Sequence, residues 1–287
     1  MAELAKRLPG NVPGPFFVDS TCIDCDTCRQ IAPATFGEGA DASFVQLQPQ
    51  SAEQARKAYR ALVACPTASI GAADKSGVSA AVRDFPLPLA PRLNYCGFNS
   101  PKSFGGNSYF LEHPDGNWLI DAPRFVEHLA RRFAEMGGIR YIFLTHRDDV
   151  ADAAKYARRL GAERIIHRLE LSAQPDAERV IDGFAPVELA PGFLAIPTPG
   201  HTRGHCVLLA EKQFLFSGDH IWWSRNRGRL NASRDVCWYS WRDQVASVRL
   251  LEGYSFEWIL PGHGERIHFA REQMSREMAR LVHAVAA

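Results

Sequence analysis

The chain has 287 residues, 46% of them hydrophobic, enough for two domains or for one small domain appended to a fold of about 200 residues. Its 33 basic and 32 acidic residues leave a net charge of +1, so charge gives no reason to expect nucleic acid or a polyanionic membrane surface as partner. No apolar run approaches the length of a membrane-spanning helix, and the start Met1-Ala2-Glu3-Leu4-Ala5-Lys6-Arg7 lacks the apolar core of a signal peptide, so a soluble cytoplasmic protein is expected.

The first informative element is a cysteine run. Cys22, Cys25 and Cys28 are separated by two residues each, and Cys65 follows in Cys65-Pro66, which is the thiolate spacing of a ferredoxin-type iron-sulfur cluster. Three close cysteines wrap one corner of a cubane from a single loop, while the distant fourth closes it and its proline stiffens the turn. A four-cysteine zinc knuckle would show paired hooks instead, and a run of three plus a lone Cys-Pro fits that pattern poorly. The segment from about residue 15 to 75 resembles bacterial single-cluster ferredoxins, including Phe17-Val18-Asp19 before the first ligand and Ala68-Ser69-Ile70 after the last. Ala32-Pro33 stands where a two-cluster ferredoxin carries another Cys-Pro, so the resemblance implies one cluster, and with Cys25 present a 4Fe-4S cluster. Cys96, Cys206 and Cys237 are an odd, scattered remainder that suggests no disulfide framework, and Cys206 reads as a small buried hydrophobe.

Next, residues 72–92 are rich in Ala, Ser, Pro and Gly, and Pro86, Pro88 and Pro91 interrupt any helix or central strand. We therefore expect a ferredoxin-like domain over residues 1–75, a linker over 76–94, and a second domain over 95–287. In that second part, Tyr109-Phe110-Leu111 and Trp118-Leu119-Ile120 flank the turn sequence Pro114-Asp115-Gly116 and read as a hairpin. Phe125, Leu129, Phe133 and Met136 recur at helical spacing before the stop Gly137-Gly138, and the strand Tyr141-Ile142-Phe143-Leu144 runs into Thr145-His146. Three further apolar runs end in Gly-containing turns that present His201, Asp219 and His263, the way a rigid sheet holds metal ligands at its edge.

From about residue 95 onward these runs resemble the metallo-β-lactamase superfamily. The resemblance implies an α+β chain whose second domain is an αβ/βα sandwich with metals at one edge. It also implies roles for His146 after the Thr-His strand, His201 of Thr198-Pro199-Gly200-His201, Asp219 of Gly218-Asp219, and His263 of Pro261-Gly262-His263-Gly264. The departure is as informative. The family run Thr-His-x-His-x-Asp-His reads here Thr145-His146-Arg147-Asp148-Asp149-Val150-Ala151, so Asp148 replaces a histidine, while Val150 and Ala151 replace the Asp and His that anchor a second metal. Sliding to Asp149 or Asp152 restores no Asp-His pair, and a divalent ion needs three or four protein ligands, so one metal is expected. His146, His201 and Asp219 can assemble that site, with Asp148 available as an optional fourth ligand. Two histidines and a carboxylate with open positions suit non-haem iron, and these positions resemble the iron ligands of the persulfide dioxygenase branch, though zinc accepts the same set. A chain stripped of family ligands also admits an empty pocket with the three residues merely inherited.

His205 and His220 read as groups behind the ligands or in the pocket wall, and His167, ending Arg164-Ile165-Ile166, reads equally as a surface residue. The run Ile221-Trp222-Trp223-Ser224-Arg225-Asn226-Arg227-Gly228-Arg229 and the run Trp238-Tyr239-Ser240-Trp241 would wall a pocket and clamp an anionic small molecule, or simply pack and face solvent. A hydrolase needs no electrons. We therefore expect an oxidoreductase, with mononuclear iron in preference to zinc, His263 and Asp148 as catalytic groups, and the cluster exchanging electrons with a donor or acceptor protein. The alternatives are a one-zinc hydrolase with a structural or sensing cluster, and a non-enzymatic electron carrier on a vestigial scaffold.

Overall fold

The computed structural model describes residues 2–286; Met1, where the N-terminal reading begins, and Ala287, where the second expected domain ends, lie outside them. The chain forms two compact units. One is built from the chain up to Glu112 together with Pro123–Met136, the other from His113–Ala122 together with everything from Gly137 on.

In the first unit the strand Phe16–Val18 pairs antiparallel with Ile70–Ala72, in the register Phe16 to Ala72 and Val18 to Ile70. That pairing joins the chain just before the cysteine run to the chain just after Cys65, which is why a cysteine so distant in sequence meets the other three. Cys28 lies in the first turn of the short helix Thr27–Ile31. Cys65 caps the end of Ala52–Ala64, a helix started by Ser51, whose side chain accepts from the Gln54 amide. Pro66 has no N–H to continue it. The helix packs Ala58 and Ala61 into a core with Phe16, Val18, Phe36, Val45 and Ile70. The stretch expected as a linker carries the helix Val78–Arg83 and the strand Leu87–Ala90, which pairs antiparallel with Leu93–Tyr95. Tyr109–Leu111 pairs antiparallel with Leu93–Tyr95, and the expected helix before Gly137 runs over Glu127–Glu135.

The second unit contains four parallel strands, Trp118–Ile120, Tyr141–Phe143, Glu163–His167 and Arg179–Ile181. It also contains a six-stranded sheet in the order Val187–Ala190, Phe193–Pro197, Cys206–Ala210, Phe214–Gly218, Trp258–Pro261, Ile267–His268. The two sets of strands meet where the rings of Trp118 and Phe193 stack with centroids 4.4 Å apart. Val207, Leu209, Leu215 and Ile259 of the six-stranded sheet pack with Val248 and Leu251 of the helix Trp241–Glu252 and with Met274 and Met278 of Arg271–Ala286. Cys206 is fully buried in this sheet, as its apolar run indicates.

Every strand that carries a candidate ligand ends at the same edge of chemistry. His146 follows Tyr141–Phe143, and His201 follows Phe193–Pro197. Gly218 and Pro261 are register partners on adjacent parallel strands, so Asp219 and His263 leave the sheet side by side. Among the described residues no helix is long and apolar enough to cross a membrane.

Candidate metal centres

Cys22, Cys25, Cys28 and Cys65 line one small cavity, walled otherwise by Val18, Ile23 and Ile70 and by hydroxyl side chains. All four are unbridged. The loop reaches this shape because Asp24 and Asp26 take left-handed backbone conformations, at φ 55° and 64°. Arg29, itself buried, locks both aspartates: it donates to Asp24 Oδ1 at 2.6 Å and to Asp26 Oδ1 at 2.7 Å. The sulfurs have polar company, with the Ser69 amide donating to Cys65 Sγ at 3.3 Å and Cys25 Sγ lying 3.4 Å from Thr27 Oγ1. Asn99 donates to the same Thr27 hydroxyl at 3.0 Å and to the Gly105 carbonyl at 2.6 Å. Gly105, at φ +87°, lies so close to Cys25 that a Cβ there would sit 2.6 Å from the cysteine Cβ. Burial pushes the Cys25 thiol up to about 11 and raises Cys22 and Cys28 as well, with the neighbouring cysteines adding to the rise. Such thiols become thiolates only against positive charge held among them, so the donor set fits an iron-sulfur cluster.

In the second unit, the Nε2 atoms of His146 and His201 face two carboxylates. His146 Nε2 is 3.6 Å from Asp219 Oδ2 and 3.7 Å from Asp148 Oδ2, and His201 Nε2 is 3.5 Å and 3.7 Å from the same two atoms. The edge of a tetrahedron of N and O ligands about 2.1 Å from a metal is roughly 3.4 Å. Both Nε2 atoms are buried with no hydrogen-bond partner among the described residues. Their other ring nitrogens are fixed, His146 Nδ1 by Thr145 Oγ1 at 3.0 Å and His201 Nδ1 by the Val236 carbonyl at 2.6 Å. Buried Asp121 holds Thr145 in turn, accepting from its amide at 2.9 Å and its hydroxyl at 3.0 Å. Orphaned donors behind oriented rings are what a metal site looks like from the protein's side.

The charges of the site are coupled. Burial pushes the His146 imidazolium down to about 4, which favours the neutral, ligating ring. Burial lowers His201 too, but the carboxylates of Asp148 and Asp219 beside it outweigh this and raise it. Burial would raise Asp219, yet the His263 charge and hydrogen bond, backed by His146 and His201, hold it well below the usual carboxylate range. His263 Nδ1 lies 2.9 Å from both Asp219 oxygens.

One ligand-type residue enters that the sequence reading set aside. Asp149 is 1% exposed, and neither carboxylate oxygen has a hydrogen-bond partner among the described residues. It forms a trio with His146 and Asp219 whose donor atoms lie within 4.8 Å of one another. Burial, then the Asp219 charge, raise its carboxyl well above the ordinary value. Only glycine fits at 262, where a Cβ would lie 2.3 Å from Asp149 Oδ2 and 2.8 Å from Asp219 Oδ1. Two adjacent aspartates in the turn Arg147–Asp149 thus take opposite fates, Asp148 half-exposed and Asp149 inside.

The remaining expectations divide. His205 sits behind the ligands: its Nε2 accepts from the Asp219 amide at 3.2 Å, and its Nδ1 lies 2.9 Å from Thr198 Oγ1. His220 is fully buried beside it, with ring centroids 5.5 Å apart. His167 is buried, not a surface residue, because Nε2 bonds the Gly183 carbonyl at 2.8 Å and Nδ1 accepts from the Leu169 amide at 3.2 Å. A cleft of about 520 Å³ opens on Asp148 and His201, and Trp238 and Tyr239 line it, as does Arg147. The run Ile221 to Arg229 is not among its lining residues. Trp222–Ser224 pairs instead with Arg229–Asn231, and Trp222 lies against Gly264.

Comparisons with known proteins follow this division. Residues 90–282 match the family model of the Metallo-beta-lactamase superfamily, and residues 18–72 match that of the 4Fe-4S single cluster domain of Ferredoxin I. Among curated proteins the chain is similar to an Atrochrysone carboxyl ACP thioesterase of Aspergillus fumigatus, 23% identical over 165 residues, which are 57% of this chain. The match spans 41% of that relative's length. Among solved structures it is similar to the DIM-1 metallo-beta-lactamase exposed to ceftazidime, with a TM-score of 0.53 and 18% identity over 70% of this chain and 96% of that one. The metallo-beta-lactamase FIM-1 from Pseudomonas aeruginosa in its mono-zinc form gives 0.51 and 18% over 69% and 94%. At such identity these structures speak for the fold alone.

Proposed function

We propose, from the premise that this chain belongs to the metallo-beta-lactamase superfamily, that it is an iron-sulfur enzyme performing redox chemistry on a small substrate at its histidine-carboxylate centre. The observation that carries this is the convergence of Cys22, Cys25, Cys28 and Cys65 on one cavity, since a hydrolytic centre has no use for an electron carrier. These four residues would hold a 4Fe-4S cluster, which supplies one-electron transfer when bound and would exchange electrons with a donor or acceptor protein. His146, His201 and Asp219 would hold a metal, iron in preference to zinc, which supplies a Lewis acid and open positions for substrate.

The protein's own groups do the rest. Thr145 and Asp121 fix the ring of His146, and the Val236 carbonyl fixes that of His201, so both present Nε2 inward. His263, paired to Asp219 and 29% exposed in its side chain, is placed to hand a proton to bound substrate, and half-exposed Asp148 to take one. A metallo-hydrolase is the second reading, favoured by the thioesterase relative and by Asp149, whose carboxylate would help Asp219 and His263 hold a second cation.

A metal and acid-labile sulfide count on protein purified without oxygen decides between them. About four sulfides and five or more irons per chain are expected, iron occupying both centres. Four irons with one or two zincs would move the assignment to the hydrolase, and four irons alone would overturn a working second centre.

A further inference from the structure

The cleft above the histidine-carboxylate centre contains polar groups that no contact among the described residues uses. Two arginines line it, and they differ. Arg147 is spent: its Nε donates to buried Glu170 at 2.5 Å and its Nη2 to the Leu169 carbonyl at 2.6 Å. Arg203 is exposed and makes no hydrogen bond or ion pair among the described residues, so its charge is available. Beside it Thr202 is only 6% exposed, yet its hydroxyl has no partner among the described residues. A buried hydroxyl without a partner carries a desolvation cost that a ligand oxygen would relieve.

Two aromatic side chains line the cleft as well. Trp238 is 68% exposed and Tyr239 50%, the largest such surfaces near the centre. They are not on a loose loop. Their amides donate to the His201 carbonyl at 3.0 and 3.1 Å, and the Ser240 amide to the Gly200 carbonyl at 3.0 Å, so the wall is bolted to the turn that carries His201. Asp148 also lines the cleft, but its Oδ2 is directed at the centre, 3.7 Å from the Nε2 atoms of both His146 and His201.

We infer that this cleft binds an organic anion with a flat apolar body, the negative group on Arg203 and Thr202 and the body against Trp238 and Tyr239. The inference rests on the reading of the centre as the reaction site, because it places the anion's body beside that centre. Arginine suits carboxylates and phosphates alike, and an exposed indole offers a rigid stacking face.

The test titrates the full chain, purified without oxygen and counted for metal and sulfide, with naphthoate, naphthyl phosphate and the neutral isostere naphthylmethanol, followed by calorimetry. At least one anion should bind at one site per chain, about tenfold or more tighter than the alcohol. Arg203→Ala and Trp238→Ala should each weaken it about tenfold with unchanged metal and sulfide counts, and Arg203→Lys should recover part of the loss. Equal binding of anion and alcohol, or wild-type affinity in Arg203→Ala, would overturn the inference while leaving a metal-loaded centre intact as a reading. Binding that depends on Arg203 in protein whose centre holds no metal would do the reverse, sustaining the anion site and sinking the redox assignment.

Discussion

Asp149 shows most plainly how one residue can commit a fold to a ligand. Both its oxygens are buried without partners among the described residues, beside the second carboxylate Asp219, and burial together with the Asp219 charge drives its carboxyl toward the neutral form. Without a cation this arrangement opposes folding; with one it becomes an asset. Asp149→Asn keeps the shape and removes the charge, so it should raise the thermal midpoint of chelator-stripped protein while lowering the metal content of untreated protein. A metal count and melting curve equal to wild type in both states would mean that Asp149 faces no cation. The residue was hidden from sequence reasoning for a geometric reason. Family spacing assigns positions one by one along the run, whereas the turn at Arg147–Asp149 rotates consecutive side chains to different sides. Spacing does not encode which of two adjacent aspartates goes inside. By contrast His146, His201, Asp219 and His263 were legible because each follows an apolar strand and a turn with its own sequence signature.

At the level of elements, the short helical turn Arg168–Ala173 acts as a clamp for the centre without touching it. It carries Glu170, fully buried, which accepts from the Gly204 amide at 2.6 Å and from the Arg147 amide at 3.3 Å. One carboxylate thereby fastens the turn holding His146, Asp148 and Asp149 to the turn holding His201. Gly204 is required there, since a Cβ would come within 2.9 Å of Glu170. Glu170→Gln keeps the volume but halves the acceptor capacity, and we expect a loss of roughly 2 kcal/mol in stability. Metal affinity should fall about tenfold, the scale of losing a group that orients ligands. Chelator competition followed alongside thermal unfolding separates the two effects; unchanged competition would show that the turns hold their places without the clamp. The strands that lead to His146, Asp219 and His263 were readable in advance from their apolar runs, and the helix Glu127–Glu135 from its period, whereas Leu87–Ala90 was hidden by the prolines that read as a linker. The role of the run from Trp222 to Arg229 was not readable either, because indoles and guanidiniums next to a ligand look the same in sequence whether they face a cleft or back a turn, as Trp222 does at Gly264.

Across the whole molecule, the ligands of the two centres are segregated. The four cysteines belong to the unit built on the chain up to Glu112, and the histidines and aspartates to the unit that begins at His113 and resumes at Gly137. The chain passes between the units three times, so a cut in sequence is a poor way to separate them, but among the described residues the candidate ligands of each centre come from one unit. Loading of the two should therefore be independent while their chemistry is not. Cys65→Ser removes the ligand that the pairing of Phe16–Val18 with Ile70–Ala72 brings to the loop, and should abolish the cluster's visible absorbance and its sulfide. The metal content of the histidine-carboxylate centre should stay at the wild-type value, since its donors are oriented by Thr145, Asp121 and the Val236 carbonyl, all within the second unit. What should vanish, on the proposed assignment of iron to that centre, is its reduction by an external electron-carrier protein, followed by the oxidation-state signal of the metal. Loss of metal from both centres would show that the cluster is a structural staple for the whole chain. Undiminished reduction in a variant that has lost the cluster would mean that electrons reach the centre by another route, and the relay would have to be abandoned.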